Sequence, residues 1–340
     1  MRTQLRIAAS GMCCAVGGFA RAARAAIRAG LNRFEESEFV DARAEPLIVS
    51  RMPLENLWGP RRIATMFEAA VKDCISEAPA FSPKTTALLL LVAEQGRPGY
   101  QDSWAEACVA AYEKLTGMAP STEVRTLALG RAGIVSALRE AHSLLVHRYA
   151  RQVLVVGVDS YLNAEAITHL LRKRRLMTEE VSEGFIPGEG AGALLLELPP
   201  REPVGLHVLG TGAAEETATL DNDEPVRALG LTRALREALA ASGYHMNDLH
   251  FRITDLNGVP LAFREAALAD TRLLDHRAGR FPLLHLADCI GETGAAVGPL
   301  SLAYLADAMA RGYVPGTRAV LHCANDGPER AAVVAECFPS

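Results

Sequence analysis

Apolar positions along the chain fall into two periods. Near-continuous runs at Ala87–Ala93 (ALLLLVA), Val153–Val158 (VLVVGV) and Ala193–Leu198 (ALLLEL), with the shorter Ala319–His322 (AVLH), predict strands covered on both faces. Between them lie stretches of roughly 12–18 residues with helical spacing. Leu5–Ala9 reads as a further strand and Ser10–Gly18 as a turn-rich loop. Phe19–Ala29 reads as a helix with Arg21, Arg24 and Arg28 on one face and Phe19, Ala23, Ala26 and Ile27 on another. That opening is expected to belong to the folded protein rather than to a cleaved peptide, despite its arginines. Strands alternating with helices predict an α/β fold with buried sheets.

The segment Pro199-Pro-Arg-Glu-Pro203 is the clearest break and divides the chain into 1–199 and 204–340. An echo crosses it. Gly130-Arg-Ala-Gly133 opens the apolar helix Ile134–Arg148 ahead of the strand at 153–158. Gly291-Glu-Thr-Gly294 opens Ala295–Arg311 ahead of the strand at 319–322. The second helix carries no charge until Asp307 and must be buried nearly all round. Two such units suggest a duplicated architecture, although two copies alone are a weak repeat.

Composition narrows the function classes. With 340 residues, 49% hydrophobic, and a net charge of −5, the chain is neither disordered nor a basic nucleic-acid binder. The apolar runs are too short to span a bilayer, so no membrane partner is expected. Seven scattered cysteines without a CxxC pair predict reduced thiols and a cytoplasmic location. Of 35 basic residues only Lys72, Lys84, Lys114 and Lys173 are lysines, an arginine excess consistent with base composition.

The most distinctive stretch is Gly184-Phe-Ile-Pro-Gly-Glu-Gly-Ala-Gly-Ala-Leu-Leu-Leu-Glu197. Gly188-x-Gly190-x-x-Ala193 loosely matches a dinucleotide fingerprint, but it feeds straight into a strand where that fingerprint must open a helix. No nicotinamide or flavin, and no other cofactor, is therefore expected. The glycines predict a tight turn using positive φ and close backbone approach, with Glu189 tying it down. GxSxG, HExxH, P-loop and zinc-type patterns are absent from the sequence. His285-x-x-x-Cys289 and His245/His250 read as ordinary core or surface residues, so no metal is expected. The run Arg172-Lys-Arg-Arg175, offset by Glu179, Glu180 and Glu183, reads as a solvated face, with a phosphate or acidic-partner dock as the alternative.

The 184–197 stretch, preceded by Val155-Val-Gly-Val-Asp-Ser160, resembles the ketosynthase branch of the thiolase-fold condensing enzymes. Ile7–Gly18 with Ala25-Ala-Ile-Arg-Ala-Gly30 is similar to that family's start. Asp288-Cys-Ile-Gly-Glu-Thr-Gly-Ala-Ala296 is similar to its late glycine–alanine motif, and Asn325-Asp-Gly-Pro-Glu-Arg-Ala-Ala332 to its closing loop. The resemblance covers the chain in order. It implies an α/β, thiolase-like five-layer αβαβα fold of two similar halves, normally a homodimer, and a Cys-His-His site.

Laid on that pattern, the cysteine position falls on Arg131 (Gly130 if shifted by one). The first histidine falls on Asp255 of Asp255-Leu-Asn-Gly258 (Thr254 if shifted), and the second on Glu292. The family's usual lysine position is Ala287. Neither arginine nor glycine forms an acyl-enzyme, so the resemblance implies a degenerate site with no catalytic residue at the family positions. One cation for the nucleophile and two carboxylates for the histidines predict a buried cluster of Arg131 between Asp255 and Glu292. The plain alternative is three unrelated loop residues. Cys289 and Cys323 are the candidates for a relocated nucleophile.

The Asp255-Leu-Asn-Gly258 variant and the altered triad look like the ketosynthase-like proteins encoded beside type VI secretion spike and effector proteins. That implies an adaptor that helps load a secretion effector onto its spike. Two alternatives stand beside it: an active β-ketoacyl synthase or acyltransferase with a moved nucleophile, which alone would take an acyl carrier protein, and a noncatalytic partner subunit of an active ketosynthase.

Overall fold

The computed structural model describes residues 4–122, 124–274 and 281–339. In chain order the elements are β1 (Leu5–Cys14), α1 (Ala20–Arg28), β2 (Phe34–Val40), β3 (Pro46–Ser50), α2 (Gly59–Ser76), β4 (Thr86–Val92), α3 (Ser103–Thr116), β5 (Arg125–Ala128), α4 (Gly133–Val146), β6 (Gln152–Ser160), α5 (Ala164–Arg172), β7 (Glu189–Glu197), β8 (Gly205–Glu215), α6 (Leu229–Ser242), β9 (Phe251–Thr254), α7 (Pro260–Leu273), β10 (Leu283–His285), α8 (Ala287–Ile290), α9 (Val297–Ala310), β11 (Arg318–Ala324) and β12 (Glu329–Phe338). Ten strands form one mixed sheet in the order β10-β9-β11-β12-β8-β1-β7-β6-β4-β5, while β2 and β3 make a separate hairpin. The five strands before residue 200 lie on one side of the β1/β8 contact and the five later ones on the other. Among the described residues that contact pairs Leu5 with Val208 and Arg6 with His207.

Alternation along each strand sorts the side chains into layers. Leu88, Leu90 and Val92 of β4, with Leu154, Val156 and Val158 of β6, pack beneath α2 and α3. Leu89, Leu91, Val153 and Val155 face the opposite way, into a central core with α4, α9 and the inner faces of β11 and β12. Val320, Ala332 and Val334 point outward again beneath α6 and α7. Helices, strands, two buried helices, strands and helices thus stack as five layers. α9 is buried from Val297 to Leu305, as its uncharged sequence requires.

Several sequence expectations are corrected. Ser10–Cys14 continues β1 instead of looping, because Met12, Cys13 and Cys14 are held by pairing with β7. Residues 329–332 of the closing segment belong to β12, paired with both β8 and β11. Arg24 leaves the solvent face of α1 and is buried, donating to Ser10 Oγ at 2.6 Å, whereas Phe19 is exposed. Arg175 likewise turns inward from the basic run. Lys173 pairs with Asp221 at 2.7 Å, and Glu180 lies 4.0 Å from Arg174.

Positive φ is found at none of Gly184, Gly188, Gly190 and Gly192. Their role is close approach: a Cβ on Gly192 would sit 2.6 Å from Leu300 N, and one on Gly188 2.6 Å from Ile290 O. Strand β7 therefore receives α9 and the 290–292 backbone at a distance only glycine permits. Gly192→Ala is expected to destabilise the protein by about 1–3 kcal/mol in urea unfolding, since backbone atoms must shift. Gly18→Ala, which meets nothing within 4 Å, is the control expected to stay close to wild type. No helix among the described residues is long and apolar enough to cross a membrane.

Candidate functional site

Arg131 lies in the short turn between β5 and α4, directly after Gly130 at φ +60°. Asp255 follows the end of β9, and Glu292 follows α8 and Gly291 at φ +65°. The structure brings all three together. Arg131 donates to Glu292 Oε2 at 2.9 Å, and its Nε lies 3.6 Å from Asp255 Oδ2. Their side chains are 8%, 2% and 4% exposed, so the ion pairs form away from water.

Two further members, Asp326 and Arg175, were not expected at the cluster. Asp326 accepts from Arg131 at 2.6 Å and pairs with Arg175 at 3.2 Å. The remaining valences are filled locally. Glu292 Oε1 accepts the Gly294 N–H at 2.8 Å and Oε2 accepts from Asn257. Asp255 accepts the Ala324 N–H at 2.8 Å, and Asn325 Oδ1 accepts the Ala132 N–H at 3.0 Å. The glycine-rich motif positions Glu292 through its backbone. Glu292 N–H donates to Ile186 O at 2.8 Å and Gly188 N–H donates to Glu292 O at 2.9 Å. Gly291 is needed there, because a Cβ would lie 2.8 Å from Ile186 O.

Electrostatics lock the cluster. Burial works against the Arg131 charge, but Glu292, Asp326 and Asp255 outweigh it and hold the guanidinium well above its ordinary value. Burial pushes the Asp255 carboxyl up to about 6, with Arg131 and the Ala324 N–H restraining the rise. Burial also acts to raise Asp326, yet Arg131 and Arg175 prevail and hold it below the usual range. A guanidinium held protonated offers no lone pair for attack.

Neither cysteine candidate is activated. Burial pushes the Cys323 thiol well up, with Asp255 adding to the rise, and burial and then Asp288 raise Cys289. Both are buried and remain protonated at neutral pH. Ala287, on α8, lines a recess of about 390 Å³ that ends at Asn257 and Glu292. Beside Arg131, Asp255 and His322 only about 30 Å³ remains, far below the several hundred Å³ of an ordinary small-molecule pocket. His285 Nδ1 lies 3.3 Å from Asp288 Oδ1, and among the described residues no group of three or more metal-ligating side chains is assembled.

Among the described residues, His322, 2% exposed on β11, has no protein hydrogen-bond partner at either ring nitrogen. Burial first, and Arg252 next, lower its pKa to about 3. The folded imidazole thus stays neutral while the unfolded one takes a proton below about 6.5. Its contribution is intact above that pH and is lost as the pH falls toward 3. Asp255 and Asp270, both pushed up to about 6, act in the opposite sense between roughly pH 4 and 6. A His322→Leu variant isolates the imidazole. Its stability relative to wild type is expected to rise by about 1.4 kcal/mol per pH unit below 6.5, read from urea midpoints at several pH values.

No family model matches the chain. It is 30% identical over 216 residues to the putative polyketide β-ketoacyl synthase 2 of Streptomyces coelicolor, a match spanning 59% of this chain and 50% of that protein. The chain thus matches about half the length of that curated relative. Its fold matches a chain from the complex of a type II PKS acyl-carrier protein with its ketosynthase bound to the hexaketide, with a TM-score of 0.83 at 14% identity, over 99% of this chain and 100% of that one. The ishigamide ketosynthase/chain length factor matches with a TM-score of 0.77 at 14% identity and the same coverage. The chain has a ketosynthase-like, thiolase-type α/β fold.

Proposed function

We propose that this chain is a catalytically silent ketosynthase-like protein that works by binding other proteins. The observation that carries the reading is the Arg131 guanidinium. It sits where the resemblance puts the nucleophile, ion-paired with Asp255, Glu292 and Asp326, with about 30 Å³ of space left beside it. An acyl thioester meets no nucleophile there. In this reading Arg131, Asp255 and Glu292 are the altered Cys-His-His positions, and residues 1–199 and 204–340 are the two halves. The protein acts in the cytoplasm as a dimer and, following the Asp255-Leu-Asn-Gly258 resemblance, serves as an adaptor between a secreted effector and its type VI spike.

A second reading makes it the noncatalytic subunit of an active ketosynthase. In its favour, one solved relative is a ketosynthase/chain length factor and another is a ketosynthase in complex with its chain length factor. One experiment separates the two. The protein, tagged in its native host, is exposed to acyl thioesters for intact-mass analysis and is also used for pull-down with quantified stoichiometry. Unchanged mass with a stoichiometric effector or spike protein is the expected result. A stoichiometric ketosynthase instead establishes the second reading. Covalent acyl mass overturns both, and its attachment at Cys289 or Cys323 identifies a relocated nucleophile.

A further inference from the structure

The opening segment carries positive charge that the fold leaves unused. Residues 1–34 hold six arginines and no aspartate or glutamate, in a chain whose net charge is −5. Arg6 pairs with Glu197 at 3.4 Å, and Arg24 is buried against Ser10 and Asp307. Arg21, Arg28 and Arg33 are exposed, and among the described residues none of them has a carboxylate within 4.0 Å. Asp307 is already shared by Arg24 at 4.0 Å and Arg311 at 2.7 Å.

Helical geometry makes a ridge of these charges. Arg21 and Arg28 lie two turns apart on α1, about 10 Å, so both project from its solvent side. Arg28 is steadied by stacking, its guanidinium carbon 4.3 Å from the centre of the Tyr313 ring. Beside the ridge, α1 presents only alanines, and a recess of about 300 Å³ opens there. The end of α1 shapes it. Gly30 N–H donates to Ile27 O and Leu31 N–H to Ala26 O, each at 3.0 Å, which folds Leu31 back along the helix. Val16, Ala26, Leu31 and Pro53 line the recess, and Arg33 borders it. Phe19, Leu31 and Tyr313 are each about half exposed around this surface.

Arginines and exposed aromatic rings about an apolar recess have the composition of a protein-binding surface. Charge selects the occupant. Guanidiniums without internal partners complement carboxylates, and the recess has room for one large apolar side chain as an anchor. A bilayer fits less well, because a flat lipid surface puts nothing into a recess and the nine-residue α1 turns arginine and alanine outward, not a broad apolar face.

We propose that α1 and the recess beside it form a docking surface for an acidic segment of another protein. Its carboxylates meet Arg21, Arg28 and Arg33, and its central apolar side chain enters the recess. The recess shares no lining residue with the space beside Arg131, so the proposal requires neither catalytic silence nor a particular partner subunit.

The test is fluorescence anisotropy of a labelled synthetic peptide, a run of glutamates around one phenylalanine, titrated with the intact protein at low ionic strength. Two matched peptides carry glutamine for the glutamates or serine for the phenylalanine. The acidic peptide is expected to bind saturably and to weaken as salt is raised, with both matched peptides at least about tenfold weaker. The double variant Arg21→Glu, Arg28→Glu is expected to lose at least about tenfold in affinity while keeping the wild-type urea midpoint. Arg233→Glu, Arg236→Glu, the same charge change on the exposed side of α6, is expected to bind as wild type does. No saturable binding, an equal loss in the α6 variant, or binding only to phosphatidylglycerol vesicles overturns the proposal. Each of those results leaves the acyl-thioester experiment, and the reading tied to it, untouched.

Discussion

Arg131→Met is expected to destabilise the protein by about 3–5 kcal/mol, seen as a lower urea midpoint at unchanged slope. Methionine restores the bulk of the side chain but not its charge. Among the described residues, Glu292 and Asp255, 2% and 4% exposed, then have no cation at ion-pairing distance, Arg330 acting on Asp255 only from further away, and Asp326 retains Arg175. Removing one partner of a buried cluster costs far more than the cluster itself contributes, because the desolvated charges that remain are uncompensated. Two companion results follow from that argument. The deficit shrinks between pH 8 and pH 5, because the freed carboxylates can take up protons in the fold, and Asp255 is already raised to about 6 beside Arg131. The triple variant Arg131→Met, Asp255→Asn, Glu292→Gln recovers most of the loss, since the amide oxygens still accept the Ala324 and Gly294 N–H groups. A single variant within about 1 kcal/mol of wild type would show that the cluster is not electrostatically closed.

Glu189→Ala is expected to cost a similar amount, about 3–5 kcal/mol, for the inverse reason. The carboxylate is fully buried at the start of β7. It accepts from Met52 N–H at 2.8 Å, from Arg62 Nε at 2.8 Å and from Ser160 Oγ at 2.9 Å. Arg62 also donates to the carbonyls of Met52, Leu54 and Leu57, so this one pair anchors the segment leading from β3 into α2. Alanine leaves a guanidinium, 4% exposed, with carbonyls but no counter-charge. The loss is expected as a lowered urea midpoint together with proteolytic nicking between residues 52 and 58. Glu189→Gln, which keeps one acceptor oxygen, should fall between wild type and alanine. An alanine variant as stable as wild type and resistant to protease refutes the anchoring role.

The sequence revealed the parts of the fold whose signal is local. β4, β6 and β7 are covered on both faces and therefore appear as apolar runs that need no partner to be recognised. β9 and β10, four and three residues long, lie next to each other at one end of the sheet, and β5 is a four-residue strand at the other. Their strand character comes from pairing, and nothing in their own pattern announces it. β8 is rich in glycine and alanine because α6 presses on it, with a Cβ on Gly212 falling 1.9 Å from Ala234 O. Such strands read as loops until the helix above them is known.

The site divides the same way. Arg131, Asp255 and Glu292 were legible as a cluster because the family resemblance aligns them, within one residue for the first two, and Glu189 because it stands inside the glycine-rich stretch. Asp326 and Arg175 were not. One sat in the closing segment without an assigned role, and the other in a basic run expected to face solvent.

By itself, then, the sequence determined the α/β class, the buried central helices and the charges carried by Arg131, Asp255 and Glu292, since each follows from residues near one another in the chain. Only the tertiary structure decided which charges meet. Arg131 reaches Glu292 across 161 residues and Asp326 across 195, and Arg175 turns inward to share Asp326. Burial sets what those meetings are worth, because an ion pair closed off from water stands or falls on every donor and acceptor around it, and no local pattern records that enclosure.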